Sequence, residues 1–233
     1  FADANVGVDK RVTVDTSKAE VTGHNSDKYA INYLIDNVTA TISKDTSATP
    51  PAAGEGYTLD YAAETITVTD GYEVSTAMTG GTPVSTGSIS DYLGQTLHIR
   101  RVEDNNHVAS GWTSFTLTAR PGAPGGITQT DETVRGKGDG KVTGITADME
   151  YRIGNNWQAG GADLEDLAAG TKVTIRVKAT GSAPHGQEAT YTIGAGTPIT
   201  VTFNSQDGST VEQITDKSYG ETVAEPTPPT RTG

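Results

Sequence analysis

Trp112 and Trp157 are the residues of this chain best suited to chemistry, and that chemistry is binding. An indole presents a flat apolar face on which a sugar ring can stack. Trp112 precedes a strand whose Phe115 reads as core-facing, and Trp157 follows a turn. Packing in a core or along a strand edge is therefore the plainer expectation for both, and contact with a ligand the sharper one. The other reactive residue types fail on spacing. His24, His98, His107 and His185 form no His-x-x-x-His or His-x-Glu pattern, so they read as exposed or turn histidines, not zinc ligands. None of Ser85, Ser110 and Ser209 has both glycines of Gly-x-Ser-x-Gly. No catalytic residue, cofactor-binding residue or metal ligand is assigned, and the expectation is a protein that is not an enzyme.

Two further stretches resemble sites without meeting their rules. RGKGDGKV, at 135–142, approaches a phosphate loop. However, Gly140-Lys141 is followed by Val142 where Ser or Thr is required, and no helix follows. A tight turn between strands is the better reading. Carboxylates cluster at Asp131-Glu132, Glu103-Asp104 and 163–166. Calcium needs six or more oxygens converging on one loop, and no Asp-x-Asp-x-Asp spacing is present, so a solvated acidic surface is expected. A glycosidase would need two carboxylates facing each other in a cleft, which thin sandwiches rarely build.

Composition narrows the partners. The 233 residues carry a net charge of −12, which repels nucleic acid and disfavours an anionic membrane surface. Cysteine is absent, so disulfides and thiolate metal sites are excluded. No apolar run approaches the roughly 20 residues that span a bilayer. No basic-then-apolar signal segment stands at Phe1, and the chain reads as a mature or excised fragment of something longer. Hydrophobic residues make up 33% and aromatics 6%, which suits several thin β-sandwiches better than one thick core.

The elements that position these residues are strands. At 172–178, Val173, Ile175 and Val177 alternate with Thr174, Arg176 and Lys178, the period of a half-buried strand. Asp166 to Gly170 reads as the turn that feeds it, and Asn155-Asn156 as the turn before Trp157. Strands are also expected at 6–8, 11–14, 28–35, 38–42, 65–69, 72–75, 96–102 and 113–117, with Asp70-Gly71 as a hairpin turn. Segments 45–56 (DTSATPPAAGEG) and 120–126 (RPGAPGG) read as linkers. The modules that follow the two linkers form an internal repeat. Ile99-Arg100 matches Ile175-Arg176, and Phe115-Thr-Leu matches Tyr191-Thr-Ile, both at an offset of 76. Tyr72-Glu-Val-Ser matches Met149-Glu-Tyr-Arg at 77, and Asp91-Tyr-Leu-Gly matches Asp166-Leu-Ala-Ala near 75.

DGKVTGITADMEYR, with the later Trp and LAAGTKVTIRVKATGSAP, resembles the immunoglobulin- and fibronectin-III-like modules of bacterial cell-surface proteins. FADANVGVDKRVTV, KYAINY and VTATIS resemble the second half of the YDG-type repeat of bacterial adhesins. ITVTFNSQDGSTVEQ followed by YGETVAEPTPPTRTG looks like the first half of the Listeria–Bacteroides repeat, a β-grasp module. These resemblances imply an all-β, elongated tandem: a partial YDG-type repeat at 1–48, sandwiches at 49–120 and 121–195, and a partial Listeria–Bacteroides repeat at 196–233. They further imply a bacterial cell-surface or secreted location and a non-catalytic stalk, spacer or adhesive role. Glycan or host-matrix binding, or service as accessory domains of a secreted enzyme, are the alternatives. The partners implied are host glycans, matrix proteins or neighbouring modules of the parent chain. No nucleic acid, membrane insertion or cofactor is implied.

Overall fold

Short β-branched runs broken by turn glycines leave little that could form a helix. The computed structural model, which describes residues 7–12, 39–45 and 48–231, is accordingly all-β. The strands are β1 (Gly7–Arg11), β2 (Thr39–Ile42), β3 (Tyr57–Asp60), β4 (Thr65–Val68), β5 (Tyr72–Ser75), β6 (Pro83–Val84), β7 (Gly87–Ser88), β8 (Thr96–Arg101) and β9 (Thr113–Thr116). They continue with β10 (Thr128–Thr130), β11 (Gly140–Thr143), β12 (Met149–Ile153), β13 (Gln158–Ala159), β14 (Leu164–Leu167), β15 (Lys172–Val177), β16 (Ala189–Thr192), β17 (Ile199–Val201) and β18 (Ile214–Lys217). One turn of 3-10 helix lies at Ser90–Tyr92. Among the described residues no helix is long and apolar enough to cross a membrane.

The chain divides into two compact units, 1–59 with 66–117 and 60–65 with 118–233. Each contains a sandwich of the same design. The first has sheets ordered β3-β4-β7 and β6-β5-β8-β9, and the second β10-β11-β14 and β13-β12-β15-β16. Five-residue pairing of β12 with β15 sets Met149, Tyr151, Val173 and Ile175 on the inner face. There they meet Val142 and Leu167 from the facing sheet, with Ile145 and Ile193 closing the core. Val173 and Ile175 are fully buried, as the alternation at 172–178 requires. In the first sandwich Ile66, Val74, Leu97, Ile99 and Leu117 are the buried counterparts. Phe115 also points inward, its ring stacked 4.0 Å from that of Tyr57 on the opposing sheet.

The repeat extends to single hydrogen bonds. Gly94 N donates to Leu117 O and Leu117 N to Gln95 O; 76 residues later Gly170 N donates to Ile193 O and Ile193 N to Thr171 O. Gly94 and Gly170 both adopt left-handed φ, 81° and 84°, which glycine alone takes without cost. This equivalence moves the turn. Asp91 corresponds to Leu167, not Asp166, and Leu167 is a buried strand residue, so the turn into β15 begins at Ala168.

The stretches read as linkers are fastened down. Pro51 O accepts from Thr113 Oγ1 at 2.6 Å, and Asp45 bridges His107. Pro124 is buried and Pro121 O accepts from Gln187 N. At the N-terminus β1 pairs with β2; the strand expected at 28–35, and residues 13 and 14 of the one expected at 11–14, lie outside the described residues. At the C-terminus β17 pairs with β18, and Tyr219 N donates to Arg135 O.

Candidate functional site

Alternation along β8 and β15 puts their aliphatic residues inside and their arginines on the outer face of each four-stranded sheet. In the first sandwich Arg100 sits opposite Glu73 in the β5–β8 register and forms an ion pair with it. Its guanidinium carbon lies 4.4 Å from the centre of the Trp112 ring. Trp112 reaches this face because it stands two residues before Ser114, whose side chain also points outward to His98.

The second sandwich repeats the pair and rearranges the aromatic. Arg176 sits opposite Glu150, with Nε donating to Oε1 at 2.6 Å. Here the indole comes from the opposite flank. Trp157, brought back by the turn after β12, receives Arg176 at 3.9 Å and Arg152 at 4.8 Å over its ring. Arg152 in turn donates to Glu188 at 2.9 Å. His185 Nδ1 lies 3.1 Å from both Glu150 Oε1 and Ala179 N. One nitrogen cannot donate to the carboxylate and accept from the amide together, so the tautomer selects between them.

Both sequence-predicted residues are therefore outer-face residues, half-buried and in contact with arginine, and neither joins a core. They lie in separate sandwiches. Each guanidinium occupies ring surface that a sugar would use. Compared with known protein families and with curated proteins, the chain finds no match in either. The arginines were absent from the sequence-based candidates, although a signal existed: Glu73 and Glu150, and Arg100 and Arg176, are charged positions that the repeat preserves.

Open surface remains beside Trp112. A shallow groove of about 200 Å³ is lined there by Glu73, Met78, Gly80, Pro83, Arg100 and Trp112, with Met78 half exposed. Gly80 and Gly81 stand with Arg100 in its lining. A second cavity, about 320 Å³, is lined by Asp45, Arg101, Asp104 and His107. Asp104 is occupied locally: Asn106 N and His107 N both donate to it at 2.7 Å, which lowers its pKa to about 2.

The acidic clusters bind backbone. Glu132, 5% exposed, accepts from Gly136 N and Gly138 N at 2.9 Å and from Ala169 N at 3.1 Å. Those amides hold its pKa below the usual carboxylate value, with Gly136 and Ala169 the main causes. The glycine-rich stretch that resembles a phosphate loop is thus an anion cradle, and its anion is the chain's own side chain. Gly136 and Gly138, at φ 78° and 70°, supply the curvature. Asp131 accepts from Gly194 N and Gln129 Nε2 at 2.7 Å, and Asp163 from Gly144 N at 2.8 Å. Among the described residues no cluster of three or more His, Asp or Glu is arranged to hold a metal ion.

Proposed function

We propose that the chain is a non-catalytic stalk or spacer segment of a bacterial cell-surface or secreted protein. Its two sandwiches are read as immunoglobulin/fibronectin-III-like modules flanked by partial YDG-type and Listeria–Bacteroides-type repeats. The observation that carries this reading is where the polar side chains go. Glu73, Glu150, Glu188, Glu132 and Asp131 all engage the chain's own arginines or amides, Glu73 and Glu150 in equivalent positions of the two sandwiches. A module that spends its polar groups on itself is built to persist and to be repeated.

The groove beside Trp112 favours a second reading, a glycan- or host-matrix-binding module. There an indole edge, a guanidinium and a carboxylate line one depression with an exposed methionine. One experiment separates the two readings. The intact chain is screened on a glycan array and a panel of matrix proteins, alongside Trp112→Ala and Trp157→Ala. The spacer reading expects no saturable binding by any of the three. A ligand bound by the parent chain and lost in Trp112→Ala alone would replace it with the binding reading.

A further inference from the structure

We infer that the second sandwich is a tension-resisting module, clamped between its first and last strands so that tension along the chain is met in shear. The inference deepens the spacer reading and takes its purpose from it. After β10 the chain continues as 131–135 beside 193–197. Gln129 Nε2 donates to Thr192 O at 2.8 Å, and Gly194 N to Asp131 Oδ1 at 2.7 Å. Glu132 N donates to Gly194 O at 3.2 Å, Thr197 Oγ1 to Thr133 O at 3.2 Å, and Arg135 N to Thr197 O at 2.9 Å. Gly196 N adds a bond to the Glu132 carboxylate. Partner numbers rise together on both segments, and Val134 and Thr197 form a parallel bridge.

Parallel pairing decides how the patch carries load. The chain enters the module at the start of the first segment and leaves it at the end of the second. Tension therefore draws the two segments in opposite directions along their length. Every cross-bond is strained together, whereas a hairpin pulled from its open end loses its bonds one at a time.

Two glycines allow the close approach. A Cβ on Gly196 would sit 2.5 Å from Glu132 O and Val134 N, and one on Gly194 2.6 Å from Asp131 Oδ2. The first sandwich has Thr118, Ala119 and Arg120 at the positions of Gly194, Ala195 and Gly196. Its β3–β4 connection spans 61–64, whereas 131–139 joins β10 to β11. Side-chain contacts take the place of the backbone ladder: Tyr57 on Phe115, Thr113 on Pro51, Tyr61 Oη accepting from Thr118 N at 2.9 Å, and Arg120 donating to Glu64 at 2.7 Å.

The test is single-molecule stretching of the whole chain between terminal handles, which the absence of cysteine makes simple to attach through engineered thiols. From first to last strand the second sandwich spans 128–192 and the first 57–116, so the second frees five residues more, roughly 17 Å of extra chain, and its event is recognised by length. The longer event is expected at the higher force. Gly196→Ala lowers that force and leaves the shorter event unmoved. Gln129→Ala, which removes one surface bond without touching a backbone, lowers it less and guards against misfolding. Moving the C-terminal handle to a cysteine replacing the exposed Gly181 bypasses the ladder and abolishes the high force in the parent chain. Equal forces for the two events, or a high force indifferent to handle position and to both variants, would overturn the clamp. That result leaves the spacer reading intact, because the binding screen decides it separately.

Discussion

The two sandwiches share strand order, core positions and the Glu–Arg pair on the outer face, and they differ where each Arg meets its tryptophan. In the first the indole approaches Arg100 from the β9 side; in the second it approaches Arg176 from the turn after β12. The offset counterpart of Trp112 is Glu188, which holds Arg152 and so draws a second guanidinium onto Trp157. Core and pairing tolerate little change because a displaced inner residue leaves a void or a clash. An outer-face aromatic can change flank and still cover the same arginine. A second difference lies in the connection after the first strand, longer in the second copy and folded around Glu132.

That comparison can be broken most forcefully in the cores. Ile99→Ala and Ile175→Ala remove equivalent, fully buried side chains and should each cost about 2–5 kcal/mol. Chemical denaturation should show each variant lowering one transition and sparing the other; a single shared transition would mean that the copies do not unfold separately. Gly196→Ala, with its Cβ against backbone, is expected to cost about 1–3 kcal/mol in the second sandwich alone, read from the same curves. Smaller still, Trp157→Ala should destabilise more than Trp112→Ala, since it uncovers two guanidiniums to the other's one, each contact being worth about 0.5–1 kcal/mol. Equal losses in thermal melting would reduce the two arrangements to one.

Acid gives the mildest probe. The pKa values of Glu132 and Asp131 are lowered by amide donors in the second sandwich, and that of Asp104 in the first. A lowered carboxylate contributes stability in full above its unfolded value, roughly 4. The contribution is lost as pH falls through the folded value, about 2 for Asp104. Melting temperature should hold from neutrality to the ordinary carboxylate range and decline below it. Glu132→Gln should flatten the decline for the second sandwich only; a decline that began near neutrality would point to other groups.

Much of this arrangement was legible in the chain. Period-two alternation placed β15, β5 and β9, and offsets of 76 and 77 identified the copies, because inward-facing residues are constrained at every step. The turn before β15 was misplaced by its acidic residue: Asp166 looked like a turn former but takes a left-handed φ of 54° within a strand, and Leu167 fills the core. The linkers were misread for a related reason. Proline and glycine mark the absence of regular structure, not the absence of contacts, and Pro51 and Pro124 are buried. The tryptophans were noticed, but their arginines lie 5 to 19 residues away in the chain and met them only through strand pairing.

The cradle at 136–138 has a consequence for any dissolved anion. Glu132 is a ligand on a leash of a few bonds, and its local concentration at the three amides exceeds anything a buffer supplies. Phosphate, sulfate or a nucleotide would have to expel a competitor that never diffuses away. The glycine loop is thus a receptor sold with its agonist in place, saturated from the moment the chain folds.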